Sequence, residues 1–488
     1  MRKTLLLASL AILLTTGSAF ARVTITIQNN DAANLGFNDP TPAAPIGGNP
    51  GTTLGEQRLN SFKYAAGIWG EILDSPVPIV IKATFSPINS TNNPCTATSA
   101  ILGQAGPTGY LSDFTNAPLA HVGYPVALAN KLAGRDLNDS VAEISAQFNA
   151  LVDNSTCLGT HGWYYGLDGN HGSDVDLVSV LLHEFAHGLG FAGNISTNSG
   201  NFGGGNTPSV FDVHTFDNQA GLRWNQMSPQ QRLVSMINTG HLAWDGALTK
   251  AHAATLLKPV TFLSVNSQSA SARAFDIGTA TFGASLENIT LSGDVVAATD
   301  PADAIGPSTA DGCSAYTNAG AVAGKWALVN RGGNAAGDPP CTFVLKAQNA
   351  QAAGAIGIII ADNREESCLP PGMSGDNPSI TIPVVSVSLS DGAVIRAQSA
   401  NGASATLLSD PTHLAGATAE GYPKLYAPCT LEPGSSIYHF DVTANPSLLM
   451  EPFISSDLNH TPDLTLDQLR DIGWTISTPQ GRTILKRR

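Results

Sequence analysis

Two histidines four residues apart, with a glutamate beside the first, form His183-Glu184-Phe185-Ala186-His187. On an α-helix, residues i and i+4 lie one above the other on one face, so both imidazoles can present a nitrogen to a single ion. Glu184 is turned about 100° from His183, near enough to take a proton from a water activated by that ion without being a ligand itself. Zinc suits such a set, because it lowers the pKa of water towards about 7 and polarises a carbonyl while the carboxylate passes the proton to a leaving amine. The chemistry is hydrolysis of peptide bonds in protein or peptide substrates, with no covalent intermediate. A catalytic zinc has three protein ligands and one open position, so a third ligand must come from elsewhere. The residues alone leave that place open among Asp212, His214, His241 and a histidine far downstream such as His439. The motif by itself recurs by chance in unrelated helices whose histidines are satisfied core residues, so its context matters.

The helix that must carry these residues is predicted over Asp174 to Leu189. Ser173 and Asp176 have the spacing of a capping box, Val175, Leu177, Val178, Val180, Leu181 and Leu182 are apolar, and Gly188 and Gly190 end it where the chain must turn back. Upstream, residues 23–28 alternate as a strand does, Leu54 to Leu73 has helical spacing, Val77 to Phe85 is strand-like, and Ala142 to Val152 reads as an edge strand. This region predicts a mixed sheet with two long helices. From about Val260 to Leu408 the chain changes to short strands rich in Ala, Gly, Val and Ser, with one helix from Thr342 to Ala353 leading into the apolar run Ile356 to Ile360. Leu431 to Trp474 returns to mixed character.

Arg2 and Lys3, the apolar run from Leu5 to Leu14 and Ala19-Phe20-Ala21 read as a secretory signal peptide over 1–21. No later segment reaches the roughly 20 apolar residues of a membrane span. The chain has 24 basic and 38 acidic residues, a formal charge of −14, which disfavours nucleic acid and anionic membrane as partners. Six cysteines in an exported chain predict disulfides, and the pairs that each bracket one segment are Cys95 with Cys157, Cys313 with Cys341, and Cys368 with Cys429. None has metal-binding spacing. The expected location is extracellular or periplasmic.

His183 to Phe191, followed much later by Ser435-Ser436-Ile437-Tyr438-His439-Phe440-Asp441 and Leu448-Leu449-Met450-Glu451-Pro452, resembles the leishmanolysin-like metzincins. The usual metzincin signature places a third histidine six residues after the second; here that position is Gly193. Leishmanolysin-like members insert a long segment and supply the third histidine before a methionine-containing turn. The resemblance therefore implies His439 as third zinc ligand, Met450 as the methionine beneath the metal, and Leu464 to Trp474 as the closing helix. Gly324 to Gly332, Cys341-Thr342-Phe343, Lys346 to Ala355 and Ile382 to Val385 resemble a protease-associated (PA) domain, a β-rich module associated with substrate or partner contacts and not with catalysis. The implied fold is α+β: a metzincin-like catalytic domain, a twisted mixed sheet plus the zinc-binding helix, over 22–259 and 409–488, split by an inserted PA domain over 260–408. A reading from another class is a secreted binding protein with a structural or vestigial zinc site and the PA domain as its functional part; a purely structural site has no use for Glu184.

Overall fold

A computed structural model describes residues 22–477 apart from 90–93, 98, 140, 155, 160, 269, 335–339, 365–368 and 456. The signal peptide expected over 1–21 lies outside the described residues. The chain is α+β. Its first part runs β1 (Ile25–Asn29), α1 (Leu54–Ile72), β2 (Ile79–Ser86), β3 (Gly103–Pro107), β4 (Ile144–Asn149) and α2 (Leu177–Leu189). The sheet order is β1-β2-β4-β3, with β1, β2 and β4 parallel and β3 antiparallel to β4. α1 and α2 pack side by side beneath it, and the Trp69 indole N–H in α1 donates to the Leu182 carbonyl in α2 at 3.2 Å.

Two expectations need correction. The stretch expected at the sheet edge is β4, which lies inside, between β2 and β3. The edge belongs to Gly103-Gln104-Ala105-Gly106-Pro107, which has neither β-branched residues nor alternation and is a strand because of its pairing. The motif helix also begins later than Asp174. Val175–Asp176 is extended and pairs with Trp163–Tyr164, and Asp176, not Ser173, caps the helix by accepting the Val178 N–H at 3.2 Å.

After α3 (Ala247–Leu256) the chain enters the inserted part through β5 (Pro259–Ser267). There follow β6 (Ala270–Phe275), β7 (Gly278–Thr279), β8 (Thr290–Ala297), β9 (Trp326–Asn330), α4 (Phe343–Ala352), β10 (Gly357–Ala361), β11 (Val384–Val387), α5 (Leu389–Ser399) and β12 (Ser404–Leu414). They form one eight-stranded sheet in the order β6-β5-β12-β8-β9-β10-β11-β7. Its central strands, β8 to β11, are parallel. Trp326, Leu328, Ile359 and Ala361 point to one apolar cluster, and Ala327, Val329, Ile358 and Ile360 to another. Both faces are buried, as a parallel sheet requires, with Ala347 of α4 on one and Ile395 of α5 on the other. α5 was not expected from the sequence.

The insertion enters and leaves as a two-stranded stalk: β5 and β12 are antiparallel, in register from Val260 opposite Asp410 to Asn266 opposite Ser404, with a register shift before the outermost pair, Pro259 opposite Leu414. Outside it, a single core unites the two ends of the chain, Phe62, Trp69 and Phe185 sharing a cluster with Ile437, Phe440, Met450, Leu464 and Trp474. α6 (Asp463–Asp471) closes this part; the Asp471 carboxylate accepts the Leu248 and Thr249 N–H groups of α3 at 2.9 and 3.1 Å. Cys95–Cys157 and Cys313–Cys341 are disulfides. Cys429 is also disulfide-bonded, and its expected partner, Cys368, lies outside the described residues. Among the described residues no helix is long and apolar enough to cross a membrane.

Candidate metal centre

α2 is almost wholly buried, and two glycines shape its end. A Cβ on Gly188 would stand 2.4 Å from Ile144 Cγ2, so the helix can lie this close to β4 only without one. Gly190 has φ +136°, a conformation that side chains disfavour. The turn it makes brings the Phe191 carbonyl to 2.8 Å from His187 Nδ1.

The structure brings His183, His187 and His439 together as one group. Their Nε2 atoms are 3.1 Å apart for His183–His187, 3.1 Å for His183–His439 and 3.3 Å for His187–His439. Each Nδ1 meets a backbone carbonyl: Leu449 O at 2.7 Å from His183, Phe191 O at 2.8 Å from His187, and Ser435 O at 2.7 Å from His439. A carbonyl only accepts, so every Nδ1 carries the proton and every Nε2 carries a lone pair. Three lone pairs therefore converge with no proton between them. Protonation does not relieve this, because burial holds His183 down at about 3 and His187 at about 4, and pushes His439 well below the ordinary range. A cation at the centre does. Ligands about 2.05 Å from a tetrahedral ion lie about 3.3 Å from one another, close to the observed spacing. The three residues fit a zinc ion.

Glu184 is 7% exposed, and burial pushes its carboxyl up to about 8 even though it accepts the Ala105 N–H. Ala105 belongs to β3, the edge strand, so that edge looks towards Glu184. A Cβ on Gly103, in the same strand, would come 3.2 Å from Glu184 Cγ. Sequence reasoning missed Gly103 and Ala105; two small residues in an unpatterned stretch give no signal of their own.

The other candidates for third ligand are engaged elsewhere. Asp212 is in a short helix, Val210–His214, and its carboxylate accepts the Ser209 and Asn194 N–H groups at 2.8 and 3.1 Å. His214 pairs with Asp245 at 3.0 Å, and His241 Nδ1 lies 2.8 Å from Asn218 Oδ1. Met450 is fully buried, and its carbonyl accepts the N–H of Phe440, the residue after His439, at 2.7 Å. His460 bonds the Asp176 carboxylate that caps α2.

A family model described as PA domain matches residues 291–395, so the inserted part contains a PA domain. The chain is 40% identical over 91 residues to the ER degradation-enhancing alpha-mannosidase-like protein 3 of Xenopus laevis, covering 17% of this chain and 9% of that protein. The Homo sapiens protein of the same name is 35% identical over 125 residues, 24% of this chain and 12% of that one. The chain thus spans about a tenth of the length of these curated relatives. Among solved structures, a zinc aminopeptidase from Bacillus subtilis matches at 23% identity over 33% of this chain and 36% of its own, with a TM-score of 0.22. An aminopeptidase from an Aneurinibacillus species matches at 14% identity, covering 41% and 42%, with a TM-score of 0.20. At these scores the likeness carries no argument about the catalytic part.

Proposed function

We propose that the chain is an exported zinc endopeptidase of the metzincin type, with His183, His187 and His439 as metal ligands and Glu184 as general base. The observation that carries this reading is the convergence of three Nε2 lone pairs at 3.1–3.3 Å, each fixed by an Nδ1 proton committed to a carbonyl. A zinc ion held there supplies Lewis-acid chemistry, the acidification of water and the polarisation of a carbonyl.

The rest is done by the chain's own residues. Glu184 takes the proton of the attacking water and gives it to the departing amine. Its burial raises its proton affinity, and a neighbouring cation lowers it again, which leaves it able both to accept and to donate near neutral pH. Among the described residues β3 is paired on one side only, and its Ala105 N–H points to Glu184 instead of β4. An extended peptide adding to that edge would run past the general base, a mode in which main-chain hydrogen bonds hold an internal stretch of a substrate. This supports cleavage within chains over removal of a terminal residue. Among the described residues the PA domain supplies none to the histidine group, and its role in this reading is contact with large substrates or a partner. The test is hydrolysis of casein by the purified protein. Activity abolished by a chelator and restored by zinc supports the reading, and chelator-insensitive or absent activity refutes it.

A further inference from the structure

The three histidines are not held in the same way. The carbonyl that fixes His187 is at the end of its own helix, and the one that fixes His439 is four residues back in its own loop. His183 depends on Leu449 O, 266 residues away, in a turn outside any helix or strand. The turn that carries this carbonyl is closed by the Glu451 N–H donating to Leu448 O at 3.1 Å. Inside it, the Leu449 N–H donates to a carboxylate, Asp463 Oδ2, at 2.6 Å. The other oxygen of Asp463 accepts the Thr465 N–H at 3.0 Å and the Thr465 hydroxyl at 2.9 Å, which ties the same carboxylate to the first turn of α6. One step earlier in the turn, the Leu448 N–H donates to Glu451 Oε1 at 2.8 Å. One step later, Met450 O receives the Phe440 N–H beside His439. The turn thus orients two of the three histidines, and Asp463 anchors it to α6.

We propose that Asp463 is a positioning residue for the metal centre: by accepting the Leu449 N–H it holds the Leu449 carbonyl where it fixes the tautomer and the aim of His183. The inference rests on the proposed metal centre and adds a residue with no contact to the ion or the substrate. Outer partners that orient a ligand typically change metal affinity by about 10- to 100-fold when removed. The carboxylate's bond to a backbone N–H is charge-assisted and short, so a neutral residue does not replace it in kind.

The test uses the full chain with Asp463→Asn, which keeps the shape and tolerates the positive φ of +28° at this position. Its single carbonyl oxygen can serve Leu449 or Thr465 but not both. Zinc affinity is read by competition with a chromophoric chelator, and ligand geometry by the visible spectrum of the cobalt-substituted protein, a readout that mere loss of stability does not move. Thr465→Val is the control, because it weakens the α6 end of the same carboxylate and leaves Leu449 alone. We expect Asp463→Asn to bind zinc about 10- to 100-fold more weakly with a shifted cobalt spectrum, and Thr465→Val to match the wild type in both. Should Asp463→Asn fail to fold, Asp463→Ser carries the same test, since its hydroxyl can still cap α6 but is a bond too short for Leu449. Wild-type affinity and an unaltered cobalt spectrum in the Asp463 variants, with normal binding by the wild type, overturn the positioning role alone. A wild-type protein that binds neither zinc nor cobalt overturns the metal centre as well.

Discussion

A buried carboxylate beside no fixed positive side chain costs stability, and that cost can be worked out for Glu184. In the metal-free protein burial raises its carboxyl from an ordinary 4.5 to about 8, a difference of 3.5 units. Between those pH values the folded state binds a proton that the unfolded chain has released, so the contribution of Glu184 to stability falls as pH rises through that window. At 1.36 kcal/mol per unit, the loss is complete above pH 8 and on the order of 5 kcal/mol. Glu184→Gln escapes it, and the amide oxygen can still accept the Ala105 N–H. Urea denaturation of chelator-treated wild type and Glu184→Gln at pH 5 and pH 8.5 reads the effect, because every other titrating group is common to both proteins. Glu184→Gln should be the more stable at pH 8.5 by several kcal/mol and nearly equal to wild type at pH 5. Zinc-loaded Glu184→Gln should have lost about 10²–10⁴ in hydrolysis while keeping its metal. A stability difference that does not change with pH would refute the reasoning, as would substantial activity in the variant.

In the Glu184→Gln protein without metal, the histidines titrate unopposed. His183 and His187 are held by burial at about 3 and about 4 against an ordinary 6.5, so below pH 6.5 the unfolded chain binds protons that the folded one refuses. Its urea midpoint should therefore fall as pH drops from 6.5 towards 4, and a rise on acidification would contradict the buried, neutral triad. Replacing the stretch between Pro259 and Leu414, paired across the stalk, by a two-residue hairpin turn, with Cys429→Ser to leave no lone thiol, should keep turnover of small peptides and alter only that of large substrates. Loss of small-peptide turnover in a folded, zinc-loaded protein would show that the PA domain does more. Gly188→Ala should destabilise by about 1–3 kcal/mol in thermal denaturation, since its methyl group meets Ile144 at 2.4 Å.

The two helix-borne histidines were legible because their spacing matches the helix period and their helix has an apolar stripe and glycines at its end. His439 was legible only through resemblance, since nothing local to it announces a partner more than 250 residues away. The edge strand β3 was hidden because its identity lies in pairing with β4, not in its own residues. α5 was hidden by Gly392, which reads as a helix breaker but whose missing Cβ lets the helix come against Ala361. Asp463 was invisible because its partner is a main-chain N–H in an irregular turn, and no side-chain pattern encodes that contact.

The most direct measurement of the central claim is anomalous diffraction at the zinc edge from crystals of the purified protein. One zinc ion is expected about 2.0–2.1 Å from the Nε2 atoms of His183, His187 and His439, with its fourth position free of protein ligands and facing Glu184. An ion bound instead through Asp212 or His214, a fourth protein ligand closing the site, or no ion between the three histidines would contradict it.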